Sequence, residues 1–168
     1  MPTTDQQQFL ASWQHEAQST LKLLRALPEN QYDFRPDADG RSLGELAWHL
    51  AEIDGYIAAG VAARNIDFSV KQPGLERPRK VSELADGYAR VHAEAEARIR
   101  AMKPEDFDCT MPFMDREMRA GDILWYVLLM HMVHHRGQLV LMCRLAGGVP
   151  PGIYGPSREE MAGMRASG

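Results

Sequence analysis

The sequence predicts an all-α protein, a four-helix bundle of up-down-up-down order, and three observations carry that prediction. Four stretches place apolar residues at three- and four-residue intervals, the spacing that keeps one face of a helix dry. The connections between them are rich in Pro, Gly, Asp and Asn. No stretch alternates apolar and polar residues convincingly enough to build a sheet. The helices are expected near residues 5–27, 42–64, 82–103 and 122–146, in one domain spanning 1–168.

In the first helix the stripe is Phe9, Leu10, Trp13, Ala17, Thr20, Leu21, Leu24 and Leu27, and Pro28 stops it. His15 lies off that stripe and reads as a solvated residue. Residues 28–41, PENQYDFRPDADGR, form a loop. Ser42 then opens the second helix through a capping box in which Glu45 reaches back to the Ser42 backbone N–H. Its stripe is Leu46, His49, Leu50, Ile53, Ile57 and Val61, so His49 is the one histidine on an apolar face; Gly55 and Gly60 mark close packing.

Residues 65–80 make a long connection, and Ser82 begins the third helix, with Leu84, Tyr88, Val91, Ala95, Ile99 and Met102 inward. His92 beside that stripe reads as a rim residue. Residues 105–121, Met-rich and aperiodic, fit a short hairpin or an irregular cover over the site. The fourth helix holds WYVLLMHMVHHRGQLVLMCR and is closed by Gly147-Gly148 and Pro150-Pro151. A short helix over 157–164 fits the tail. Trp48, Tyr56 and Trp125 read first as packing residues, with a pocket wall or a dimer seam as the alternative.

Composition narrows the function. The chain has 168 residues, 45% hydrophobic and 25% charged, with a net charge of −4 and no block of Lys or Arg. That balance argues against nucleic acid and anionic membranes as partners. Residues 1–27 have no uninterrupted apolar core, so neither a secretory signal nor a membrane span is expected, and a cytoplasmic protein is. Cys109 and Cys143 are isolated thiols expected to be reduced, with Cys143 a small core residue.

The fourth helix carries three of the chain's six histidines within five residues. With about 100° per residue and His131 at zero, Arg136 points to about +140° and Arg144 to about −140°. Solvent is then expected opposite His131, with Leu124, Leu128, His135, Gln138, Met142 and Leu145 on the inward side and Arg136 a solvated or loop-pairing cation. His131 and His135 are an i, i+4 pair, stacked one turn apart. Burying these two imidazoles together with His49 costs several kcal/mol unless each ring nitrogen finds a partner. A divalent metal answers for all three at once. A His₃ set leaves a coordination position open, which favours catalysis over a purely structural ion. Zinc is the first expectation and nickel the alternative. Glu52, Asp54, Gln138 and His134 are close enough in sequence to orient the ligands.

The residues also carry a resemblance. The run RPDADGRSLGELAWHLAEID at 35–54 resembles the second-helix segment of the DinB/YfiT-like metalloenzymes, and HMVHHRGQL at 131–139 resembles their fourth-helix signature. GGVPPGIYG at 147–155 is similar to their exit from that helix, so the likeness spans nearly the whole chain. The resemblance implies a four-helix bundle, a homodimer, and a metal site on His49, His131 and His135, with His134 not counted as a ligand. Met132 stands where the family often has an acidic residue. The resemblance further implies a transferase that uses a low-molecular-weight thiol cosubstrate such as bacillithiol or mycothiol against a small-molecule substrate. A metal-dependent hydrolase and a stress-linked metal-binding protein without catalysis are the alternatives.

Overall fold

A computed structural model describes residues 4–166; residues 1–3 and 167–168, the ends of the expected domain, lie outside the described residues. The chain is mostly helical. Helix α1 (Asp5–Leu24) starts at a capping box in which Thr4 and Gln7 satisfy each other's backbone N–H groups. It ends three residues before the expected 27. Leu27 precedes Pro28, which disfavours the helical conformation there, yet Leu27 stays buried in the turn that follows.

Helix α2 (Leu43–Ala63) begins at the expected capping box. The Ser42 N–H donates to Glu45 Oε2 at 2.8 Å, and the Glu45 N–H donates to Ser42 Oγ at 3.2 Å. The loop before it is seated on its first turn: Gly44 lets the Tyr32 ring lie against the backbone, where any Cβ would collide with that ring. The Gly44 N–H donates to the Tyr32 carbonyl at 2.9 Å. Gly55 and Gly60 do mark close packing, against Leu75 and Ile66.

Helix α3 (Leu84–Ala101) follows a 3-10 turn, Val81–Glu83, so the α-winding begins two residues later than expected. Gln6 of α1, itself buried, donates to the Ile99 and Met102 carbonyls at 2.8 Å and so satisfies orphan acceptors at the end of α3.

Of the two expectations for residues 105–121, the hairpin is found. A 3-10 turn, Pro104–Asp108, leads to β1 (Thr110–Phe113), paired antiparallel with β2 (Arg116–Arg119). Met111 is buried, whereas Met114 at the hairpin tip is exposed.

The fourth rod is wound in three ways. A turn of α-helix, α4 (Ala120–Asp122), passes into a π segment, Ile123–Leu129, and then into α5 (Met130–Leu145). ILWYVLL is apolar throughout, so its hydrophobic pattern does not fix one winding; Ile123, Leu124, Leu128 and Leu129 are all buried. Gly147 at φ +84° closes α5 in the left-handed conformation that favours glycine. The tail helix, α6 (Arg158–Ala166), is docked on α5 by Arg144, which grips Glu159 at 2.9 and 3.1 Å.

Helix α2 packs against α3, α5 and the π segment, and α1 packs against α3. Trp13, Trp48, Tyr88, Phe9 and Phe107 fill the core between them. Burial of each such side chain contributes about 2 kcal/mol or more. Among the described residues, no helix is long and apolar enough to cross a membrane.

Candidate metal centre

Helix α2 brings His49, and α5 brings His131 and His135 one turn apart, to a shared half-buried position. Ring centroids lie 5.7 Å apart for His49 and His131, 4.8 Å for His49 and His135, and 4.5 Å for His131 and His135. One ligand nitrogen from each lies within 4.8 Å of the others. The ring set chosen from helical directions is therefore brought together.

Two of the rings have a second partner and the third has none. Glu52, one turn along α2, accepts from His49 Nδ1 at 3.3 Å. Glu52 is in turn approached by Arg77 at 3.8 Å, and Arg77 also holds Glu45 at 3.1 Å. The Gln138 side-chain oxygen accepts from His135 Nδ1 at 2.7 Å, and its amide nitrogen meets His134 Nε2 at 3.1 Å. An oxygen that can only accept places the proton on Nδ1 of His135 and leaves the Nε2 lone pair free, as it does for His49. His131 Nε2 is buried and has no hydrogen-bond partner among the described residues.

The electrostatics favour the neutral form of His131 and His135. Burial, followed by the charges of His49, His134 and Arg41, holds His131 below its ordinary range. Burial also pushes His135 down to about 4, with His131, His49 and His134 adding to the shift and Gln138 opposing it. Neutral imidazole is the form that binds a metal, so proton competition is weakened. The donor set fits a divalent ion on three grounds: free nitrogens facing one another, outer partners on two rings, and a third ring with a buried unsatisfied nitrogen. Beside it opens a cavity of about 420 Å³, whose wall includes Leu46, Leu141, Met142 and Leu145.

The other expected residues fall differently. Glu52 and Gln138 touch the ligand rings, and exposed His134 meets the His135 ring edge-on, with centroids 5.0 Å apart, and shares Gln138 with it. Asp54 does not face the imidazoles. Five residues past His49 is about 140° around the helix. There its fully buried carboxylate accepts from Trp13 Nε1 at 3.2 Å and pairs with His92 Nδ1 at 2.8 Å. His92 is accordingly a buried residue and not a rim residue. A signal was present: Asp54 continues the stripe of Leu50, Ile57 and Val61, where a carboxylate needs an internal partner.

Arg136 is also corrected. It is 2% exposed, donates to the Glu16 carbonyl at 2.8 Å, pairs with the Glu16 carboxylate, and donates to the Tyr154 hydroxyl at 2.5 Å. The buried side of α5 thus runs through Met132, Arg136, Leu139 and Cys143, and the imidazoles sit on its flank. Gln138 and Leu145, expected inward, are exposed, while Leu124, Leu128 and Met142 are buried as expected. Met132, where the resemblance places an acid, is fully buried with its sulfur accepting from the Thr20 hydroxyl at 3.3 Å. Trp48 is a core residue that donates to the Leu75 carbonyl at 3.1 Å, and Trp125 donates to Asp5 at 2.8 Å. The groove beside the histidines is walled by the loop after α1, not by the Met-rich hairpin.

Known proteins share this arrangement of chain. The model of the DinB family matches residues 1–166. The uncharacterized protein YrdA of Bacillus subtilis (strain 168) is 34% identical over 160 residues, covering 92% of this chain and 90% of YrdA. A DinB-like protein of Bacillus cereus ATCC 10987 superposes with a TM-score of 0.75 at 28% identity, over 92% of this chain and all of that one. YjoA, a DinB-like protein of Bacillus subtilis, superposes with a TM-score of 0.70 at 20% identity, over 90% of this chain and 99% of its own; that likeness speaks for the fold alone.

Proposed function

This chain belongs to the DinB family, and from that premise we propose that it is a metal-dependent enzyme acting on a small molecule. His49, His131 and His135 are the ligands, zinc the first candidate and nickel the second. The observation that carries the reading is the buried Nε2 of His131, unpartnered beside two rings whose Nδ1 atoms are already engaged. A purely structural ion would need no adjoining groove, whereas this position adjoins a cavity of about 420 Å³.

A divalent ion held there would lower the pKa of a thiol or a water brought to it. The chain's own residues do the rest. Glu52 and Gln138 fix ring orientation and tautomer, and Leu46, Leu141, Met142 and Leu145 give a substrate an apolar wall. Transfer of a low-molecular-weight thiol to an electrophile is the favoured reaction, in line with the family resemblance, and hydrolysis is the second. The finer architecture belongs to the same proposal: a single domain, a bundle of up-down-up-down order, a homodimer, and a cytoplasmic location.

The test is metal analysis of protein purified without a nickel column, for wild type and His131→Ala, followed by a thiol screen against monochlorobimane with and without metal. Stoichiometric metal lost in the variant, with thiol-dependent turnover in the wild type alone, is expected. Metal-independent turnover, or no metal at any concentration, would overturn the reading.

A further inference from the structure

The groove beside the imidazoles has two unlike sets of lining residues. One is apolar: Leu46 comes from α2, and Leu141, Met142 and Leu145 come from α5. Leu141 and Leu145 are 59% and 56% exposed, apolar surface that a ligand would take out of water. The other comes from the loop after α1, which contributes Asp37 and Arg41.

These two charges are not equivalent. Asp37 is committed to its own turn: its carboxylate accepts from the Asp39 backbone N–H at 3.2 Å and its carbonyl from the Gly40 N–H at 3.0 Å. Arg41 is exposed and has no carboxylate within ion-pair distance among the described residues. The nearby guanidiniums are answered, Arg35 by Glu45 at 2.8 Å and Arg77 by Glu45 at 3.1 Å. Arg41 lines the same groove as His135.

An unanswered guanidinium beside three imidazoles repels any cation they hold. An anion placed between the two is attracted by both, and a carboxylate suits the guanidinium fork. We propose that the groove binds a small organic carboxylate, its acid held by Arg41 and its apolar body laid over Leu46, Leu141, Met142 and Leu145. This names the substrate class of the site proposed above and rests on that reading for its chemistry. Binding itself rests on the groove alone.

The proposal is tested by calorimetric titration of 4-phenylbutyrate and its neutral primary amide into full-length protein, stripped with EDTA and then loaded with zinc. The acid is expected to bind about tenfold tighter than the amide. Arg41→Gln should bring the acid down to the amide's affinity and leave the amide unchanged, whereas Arg41→Lys should restore part of the preference. Leu141→Ser should weaken both probes alike. Unchanged thermal midpoints of the three variants show that folding is not the cause.

Equal affinity for acid and amide, no binding of either, or a preference that survives Arg41→Gln overturns the proposal. So does sedimentation showing a second copy that covers Leu141 and Leu145 and competes with the probe. Zinc binding without acid preference refutes this inference and spares the metal reading; acid preference without zinc binding does the reverse.

Discussion

Two groups of buried or half-buried histidine in this protein are built on opposite logics. His92 is a single ring wedged against Trp13 and Tyr88, with centroids 4.6 and 5.8 Å away, and its Nδ1 is answered by the fully buried carboxylate of Asp54. His49, His131 and His135 face one another with rings 4.5 to 5.7 Å apart, and Glu52 and Gln138 engage only the outer nitrogens of His49 and His135. The first arrangement gives one ring nitrogen an internal carboxylate, leaves His92 Nε2 buried without a partner among the described residues, and holds α1, α2 and α3 together. The second leaves lone pairs facing inward, an arrangement useful only when something positive joins it.

The comparison breaks most sharply at Asp54. Asp54→Ala would strand Trp13 Nε1 and His92 Nδ1 in the core, and a loss of about 3 kcal/mol is expected in urea denaturation, with zinc affinity unchanged. His131→Ala should do the converse. Its zinc affinity is expected to fall more than about 100-fold in a competitive chelator titration, while the metal-free fold stays within about 1 kcal/mol of wild type. If the two variants shift stability and metal affinity in parallel, the distinction between the groups fails.

Smaller effects sharpen it. Gln138→Ala removes the acceptor on His135 Nδ1 from an exposed position, so zinc binding should weaken about tenfold with no change in thermal midpoint. The smallest effect is in pH. The unfolded chain takes up a proton at His135 near its ordinary 6.5, the folded chain only at about 4. Between those values the unfolded state binds more protons, so the metal-free protein should lose stability as pH falls through this window. Half-exposure limits the loss to about 1 kcal/mol. His135→Asn should flatten that part of a urea midpoint profile taken across the same range.

What could be read in advance follows from how local each determinant is. The Ser42–Glu45 cap and the His131, His135 pairing depend on residues three or four apart, and both appear as expected. Arg136 is not legible locally because its partner Glu16 is 120 residues away: its charge reads as solvent-facing, yet the buried side of α5 is set by an ion pair that no local pattern records. The imidazoles are legible all the same, since they lie on the flank of the buried side. Asp54 is the opposite case: it is close to His49 in sequence, yet the helical angle turns it away. The cavity wall came from the loop at Pro36 to Arg41, whose course over α2 depends on Tyr32 resting on Gly44.

The π-wound stretch Ile123–Leu129 has a consequence for sequence length itself. It stores more residues per turn than an α-helix and ends immediately ahead of Met130 and His131. Adding one residue that the stretch does not take up would swing everything downstream by about 100° relative to α4. Both imidazoles on α5 would then leave His49, and Arg136 would leave Glu16. Removing one residue is different: the rest, relaxed to ordinary winding, turn through about the same angle as the present run, so this stretch should resist insertion yet accept a single deletion.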